Sequence, residues 1–154
     1  MGQAVARVLG RSSLPFLLVE LDQHRLEFCR DAGVALIFGD ATHPLVLEAA
    51  GLGKARLLLV TTPDPITTLA VVRHSRRLRP DLHVVARAES RQMLEELREL
   101  AVHEVVQPQM EAGLEITRQA LMHLDVSPKE IECRLTEARQ DFHLPLKPGG
   151  DGVG

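Results

Sequence analysis

Apolar and polar positions alternate along this chain in blocks rather than residue by residue. Short apolar runs fall at residues 15–20, 34–38, 55–60, 82–86 and 103–106, and helix-like stretches separate them. Unbroken runs of this kind predict strands buried on both faces, as in a parallel sheet. The intervening stretches predict helices at 22–32, 44–50, 65–78 and 90–100, and another at 110–124 follows the last run. Their ends carry matching punctuation: Gly33 and Gly51 stand at stop positions, and Pro80 follows the 65–78 segment. A short amphipathic helix, 3–9, starts directly after Gly2 and can stop at Gly10. Residues 127–140 predict one more, polar helix whose first turn suits Pro128, and 142–154 reads as a loose tail rich in Pro and Gly.

Strands alternating with helices are the signature of βαβ units, whose crossovers are right-handed. The fold class is therefore α/β, a Rossmann-like doubly wound parallel sheet. Three segments follow: 1–124 for the sheet domain, 125–141 for a C-terminal helix and 142–154 for a flexible tail. Composition narrows the chemistry. The 154 residues are 45% hydrophobic and 25% charged, which suits one ordinary compact domain. Aromatic residues make up only 3%, which argues against stacking platforms for single-stranded nucleic acid. A net charge of -3 removes the basic field that a nucleic-acid binder needs. Cys29 and Cys133 cannot build a disulfide scaffold and point to a reducing compartment. No apolar run approaches the roughly 18 residues of a membrane span, and the segment after Met1 lacks a secretory-signal pattern.

In open α/β sheets, ligands bind at the carboxyl ends of the strands. Gly2 stands where the third glycine of the dinucleotide fingerprint G-x-G-x-x-G would stand, opening a helix. Glu20 ends the next strand 18 residues later, close to the spacing of about 20 at which an acid receives the ribose hydroxyls. Asp22 shares that mouth but serves equally well as a cap for the next helix. Gly39-Asp40-Ala41-Thr42 closes the following strand; it brings a turn glycine and a carboxylate to the same mouth, or simply caps the helix near Pro44. The fingerprint's strand and first two glycines, roughly ten residues, belong before Gly2. The domain is thus expected to lack its first strand and glycine loop, as a fragment of a longer product would. Two central strand edges are then left unpaired, unless the neighbours close up or another chain supplies a strand.

The rival on the same fold is a fragment of an NAD(P)-dependent oxidoreductase. None of the seven histidines has an orienting carboxylate that can be placed, and there is no nucleophile elbow or P-loop, so an enzyme is not expected. His83 and His103 read as structural residues in or beside strands. The basic cluster Arg73, His74, Arg76, Arg77 and Arg79 reads as a solvated helix end, with an anionic membrane surface as the functional alternative.

Taken in order, these blocks resemble a known family. Gly2-Gln-Ala-Val-Ala-Arg-Val-Leu9, Leu18-Val-Glu20-Leu-Asp22, Gly39-Asp40-Ala41-Thr42, Val84-Val-Ala-Arg87-Ala88 and Glu111-Ala-Gly-Leu-Glu-Ile116 are similar to the RCK, or TrkA N-terminal, domain. The form most like it is the one appended to Kef-type monovalent cation:proton antiporters. The resemblance implies a cytoplasmic regulatory module at the inner face of the membrane that binds NAD(H) or AMP/ATP and gates potassium or cation:proton transport. Its membrane-embedded antiporter or channel part would lie on the same or another chain. By position, Gly2 would cover the pyrophosphate and Glu20, with Asp22 beside it, the ribose. Gly39 would turn the chain so that Asp40 and Ala41 read the adenine edge. Thr61 would line the mouth opposite, and Arg87 would stand near the phosphates or in a salt bridge. The resemblance also implies a homodimer, formed through apolar residues on the last two helices.

Overall fold

The computed structural model describes residues 1–12, 14–25 and 34–143. Among them the elements run α1 (Gly2–Gly10), β1 (Leu17–Glu20), β2 (Ala35–Phe38), α2 (Pro44–Ala49), a 3-10 turn (Leu52–Lys54) and β3 (Leu57–Val60). There follow α3 (Pro65–Leu78), β4 (His83–Arg87), α4 (Arg91–Glu99), β5 (Glu104–Val106), α5 (Pro108–His123) and α6 (Pro128–His143). The chain divides into two compact units, Met1–Gln107 and Pro108–Gly154. The expected helix at 22–32 opens with a helical turn at 23–25, and its remainder lies outside the described residues. Helix α6 runs past Gln140 to His143, and the rest of the expected tail likewise lies outside them.

In the first unit all strand pairs are parallel. β1 pairs with β2 in the register Leu17 to Ala35 through Glu20 to Phe38. β4 lies between β3 and β5, with Val60 opposite Ala86 and Arg87 opposite Val106. The sheet is therefore divided into a two-stranded and a three-stranded part, and β1 does not hydrogen-bond to β3. Of the outcomes the sequence allows at that junction, closing up of the neighbours is not the one observed. The division also corrects the expectation of strands buried on both faces. β1 and β2 contain no fully buried residue, and β4 alternates between half-buried and buried positions. A two-stranded sheet has only edges, so its apolar side chains keep part of their surface in water.

The core collects on the other part. Leu82, Leu94, Leu97, Val72 and Val84 are buried almost completely, with Leu47 and Leu52 joining from α2 and the 3-10 turn. Helix starts follow local chemistry. Asp64 accepts the Thr67 amide at 2.7 Å ahead of Pro65, and Ser90 accepts the Met93 amide at 3.2 Å. Gly51 ends α2 at φ 76°, in the left-handed region that glycine enters without a steric penalty.

In the second unit, Leu114 of α5 packs with Ile131 and Leu135 of α6. Arg139 clamps both carboxylate oxygens of Glu111 (3.2 and 2.9 Å), and Arg118 pairs with Glu132. Helix α5, read from sequence as closing the sheet domain at 124, is grouped with α6 because its buried leucine meets that helix.

At the amino ends of β4 and β5, the His83 and His103 rings stack with centroids 4.2 Å apart and planes 25° apart. His103 Nδ1 accepts the Val84 amide at 3.2 Å and faces Arg76 Nη2 at 3.3 Å. An acceptor nitrogen cannot also carry a proton, so this arrangement needs neutral His103. Loss of hydration, then the His83 ring and Arg76, hold its pKa below the ordinary 6.5, with Glu104 opposing. The unfolded chain thus takes up this proton near 6.5, and the folded protein only at lower pH. The His103 contribution is complete above 6.5 and is lost as pH falls from there through the folded value. Thermal melts should show a midpoint that declines below about pH 6.5, and His103→Asn should flatten that decline. An unchanged slope in the variant would assign the acid sensitivity elsewhere.

Candidate functional site

The carboxyl ends of the strands in the first unit bring the sequence-derived candidates forward one by one. Glu20, the last residue of β1, folds its carboxylate back over its own loop. Oε1 accepts the amides of Leu21 and Asp22, each at 3.0 Å. Oε2 lies 3.9 Å from Arg25 Nη1, beyond hydrogen-bond reach. Asp22 Oδ1 accepts the His24 amide at 2.9 Å, and Oδ2 lies 3.2 Å from Arg25 Nε. Asp22 therefore performs the turn-capping role that the sequence also allowed.

Gly39 follows β2, and its amide donates to the Glu20 carbonyl at 3.1 Å, extending the parallel ladder to the site. A Cβ at Gly39 would stand 3.2 Å from both methyl carbons of Val46 on α2. A side chain there would require Val46 to give way by a few tenths of an ångström. Asp40 Oδ1 accepts both the Thr42 amide (2.8 Å) and the Thr42 hydroxyl (2.7 Å). Those two bonds hold its carboxyl below the ordinary range, more than burial raises it. Its fixed orientation comes from the Thr42 turn, while Ala41 packs partly into the core.

Gly2 and Thr61 meet across the mouth. A Cβ on Gly2 would lie only 2.8 Å from Thr61 Oγ1, so the start of α1 approaches the end of β3 as closely as a glycine allows. Arg87, at the end of β4, is paired with Glu89, which realises the salt-bridge alternative. Glu20 and Gly39 are joined directly through the ladder, and Gly2 and Thr61 through close approach. Asp40 stands next to Gly39 in the same turn.

Sequence reasoning missed two arginines with structural work. In the cluster taken as a solvated helix end, Arg76 donates to the carbonyls of Leu100, Pro80, Leu82 and Ala101. Arg79 donates to the Gly53 and Ala55 carbonyls and clamps Asp81. Apart from the Asp81 carboxylate and the His103 ring, their partners are backbone atoms, which leave no signature in side-chain spacing. Arg25 was missed too, although its place three residues after Asp22 is a helical i,i+3 pairing distance.

Parallel strands joined by helices, with an acid and a tight glycine turn at their carboxyl ends, define the Rossmann-like α/β class. Within that class the match is specific: the TrkA-N domain family covers residues 1–108, and the chain belongs to it. Over 147 residues it is 35% identical to a protein named as a K(+) efflux antiporter, KefB, of Alkalimonas amylolytica; that alignment takes in 96% of this chain. The chain spans 22% of the length of that relative. The solved structure of the Shewanella denitrificans Kef C-terminal domain in its AMP-bound form superposes with a TM-score of 0.74. It is 24% identical, and the match covers 92% of this chain and 89% of that one. The GsuK channel bound to NAD superposes with a TM-score of 0.67 at 18% identity, over 74% of this chain and 21% of that one. At those identities the two structures show a shared fold. Among the described residues, no helix is long and apolar enough to cross a membrane.

Proposed function

We propose that the Met1–Gln107 unit is a regulatory domain that binds an adenine nucleotide, NAD(H) or AMP/ATP, and gates a potassium transport or cation:proton antiport system. The observation that carries this is the Glu20 carboxylate. One oxygen is locked by two backbone amides, and the other is left as an acceptor at the strand ends. That is an acceptor to which a ribose hydroxyl can donate. Asp40, oriented by Thr42, supplies a second acceptor for the adenine amino group, with Ala41 beside it. Gly2 and Thr61, in close approach, stand at the phosphate end, and Arg87 is the cation that phosphates would draw from Glu89. The AMP and NAD named for the two structural neighbours fit this chemistry. The antiporter and channel among the relatives support a binding module at the cytoplasmic face of a membrane transporter, and not an enzyme.

Calorimetric titration with NADH, NAD, AMP and ATP tests the reading. It is done on the 154-residue chain and on a version carrying a strand and G-x-G loop ahead of Gly2. Saturable binding by the extended chain is expected. Its failure to bind any of the four overturns the nucleotide reading.

Dimerisation belongs to the same proposal. Ile116, Met122 and Leu124, at 70%, 55% and 69% exposure, form an apolar surplus at α5 that suits a second copy of the chain. Sedimentation as a monomer at high micromolar concentration would contradict it.

A further inference from the structure

Arg76 and Arg79 are engaged by backbone carbonyls and Asp81, whereas Arg73 and Arg77, one turn apart on α3, are exposed. Arg79 donates to the Gly53 and Ala55 carbonyls at 2.7 and 3.4 Å, which seats the end of α3 on the 3-10 turn. Lys54 and Arg56, both exposed, are thereby brought to the same amino end of the sheet. Lys54, Arg56, Arg73 and Arg77 make no ion pair or side-chain hydrogen bond with any described residue. Among the acids between residues 44 and 83, Asp64 caps the far end of α3 and Asp81 is clamped by Arg79. Glu48 on α2 is the remaining one. Glu99 and Glu104 belong to α4 and β5, across β4 from these cations. Two leucines lie between the cations: Leu57, at the start of β3, is 47% exposed, and Leu78, at the end of α3, is 36% exposed. Cations alone suffice to solvate a helix end, and exposed leucines beside them serve no such purpose. Basic residues interleaved with exposed apolar ones match an anionic lipid surface, where phosphates meet the edge of the hydrocarbon.

We propose that this end of the Met1–Gln107 unit rests on the anionic headgroups of a membrane, with Lys54, Arg56, Arg73 and Arg77 paired to lipid phosphates and Leu57 and Leu78 set against the interface. The inference goes beyond the nucleotide reading and does not depend on it. The chain as a whole carries a net charge of -3, so only a local patch can hold it to an anionic surface. Each basic residue near such a surface strengthens attachment by about fivefold, so four of them give weak, salt-sensitive binding. Binding of that strength suits a domain tethered beside a membrane, where the effective concentration of the surface is high. Strand direction adds a consequence: the mouth at the carboxyl ends points away from the lipid and stays open to solutes.

The test is co-sedimentation of the 154-residue chain with two kinds of vesicle, without nucleotide. One kind is phosphatidylcholine alone, and the other is phosphatidylcholine and phosphatidylglycerol in equal parts. Attachment to the phosphatidylglycerol vesicles only, declining as salt is raised, is expected. The double variants Arg73→Gln, Arg77→Gln and Lys54→Gln, Arg56→Gln should each weaken it by about 25-fold. Leu78→Ser should weaken it by about threefold and leave its salt dependence unchanged. The double variant Lys129→Gln, Arg134→Gln on α6 removes the same charge from the other unit and should bind as the starting protein does. The replaced cations are exposed and unpaired among the described residues, so thermal melts of their variants should match the starting protein. No preference for the phosphatidylglycerol vesicles, or an equal loss in the α6 variant, overturns the proposal. So does attachment to polyglutamate without attachment to vesicles, which would assign the patch to an acidic protein segment. Full binding by Leu78→Ser would overturn the seating of the leucines. None of these results bears on nucleotide binding, which the calorimetric titration decides separately.

Discussion

Replacing Arg76 with methionine should destabilise the Met1–Gln107 unit by on the order of 3 kcal/mol, the scale of several charge-assisted hydrogen bonds lost together. The guanidinium ties α3 to four carbonyls in two separate stretches of the chain: Pro80 and Leu82 ahead of β4, and Leu100 and Ala101 behind α4. Ala101 sits at φ 54°, a left-handed backbone that costs a side-chain-bearing residue about 1–2 kcal/mol unless its surroundings hold it. Removing Arg76 releases that strained turn as well as its carbonyl. Lysine keeps the charge but not the planar fork, so Arg76→Lys should recover only a minor part of the loss. Arg73→Met and Arg77→Met, at exposed positions of the same helix, should stay within about 0.5 kcal/mol of the starting protein. Urea unfolding of the four variants checks the contrast. Equal effects of methionine at all three arginines would mean that the cluster acts through bulk charge and not through these bonds.

The second large effect is expected at Gly39. Valine there must fit a Cβ 3.2 Å from two methyl carbons of Val46 and then add further methyls, an overpacking that costs about 1–3 kcal/mol. The displaced turn carries Asp40 and Thr42, so nucleotide binding should fall with stability. Val46→Ala removes the obstructing methyls, so the pair Gly39→Val, Val46→Ala should recover stability beyond the sum of the single changes. Strict additivity in thermal unfolding would show that contact with Val46 is not the reason for the glycine.

These cases show what could and could not be read before the fold was known. Strand ends were legible because apolar runs stop at Glu20, Phe38 and Val60, and the turn at Gly39–Asp40–Thr42 was legible because its bonds are local. Asp22 could be placed at the mouth, but its choice between ligand and cap depended on the direction of one carboxylate. Two of the Arg76 bonds cross 24 and 25 residues to backbone atoms, so no spacing rule finds them. The half-exposure of β1 and β2 follows from which strands pair, and an apolar run alone does not state its number of neighbours. The grouping of α5 with α6 likewise turns on where Leu114 points, because both helices read as amphipathic.

The most direct test of the central claim, that a nucleotide sits at the carboxyl ends of the strands in the first unit, is amide chemical-shift mapping of the chain and its upstream-extended form during titration with AMP. Saturable shifts are expected at Leu21, Asp22, Thr42 and Thr61, with Val84 and His103 at the opposite strand ends unmoved. Shifts confined to Val84 and His103 or to the second unit, or no saturable shift in either form, would contradict it.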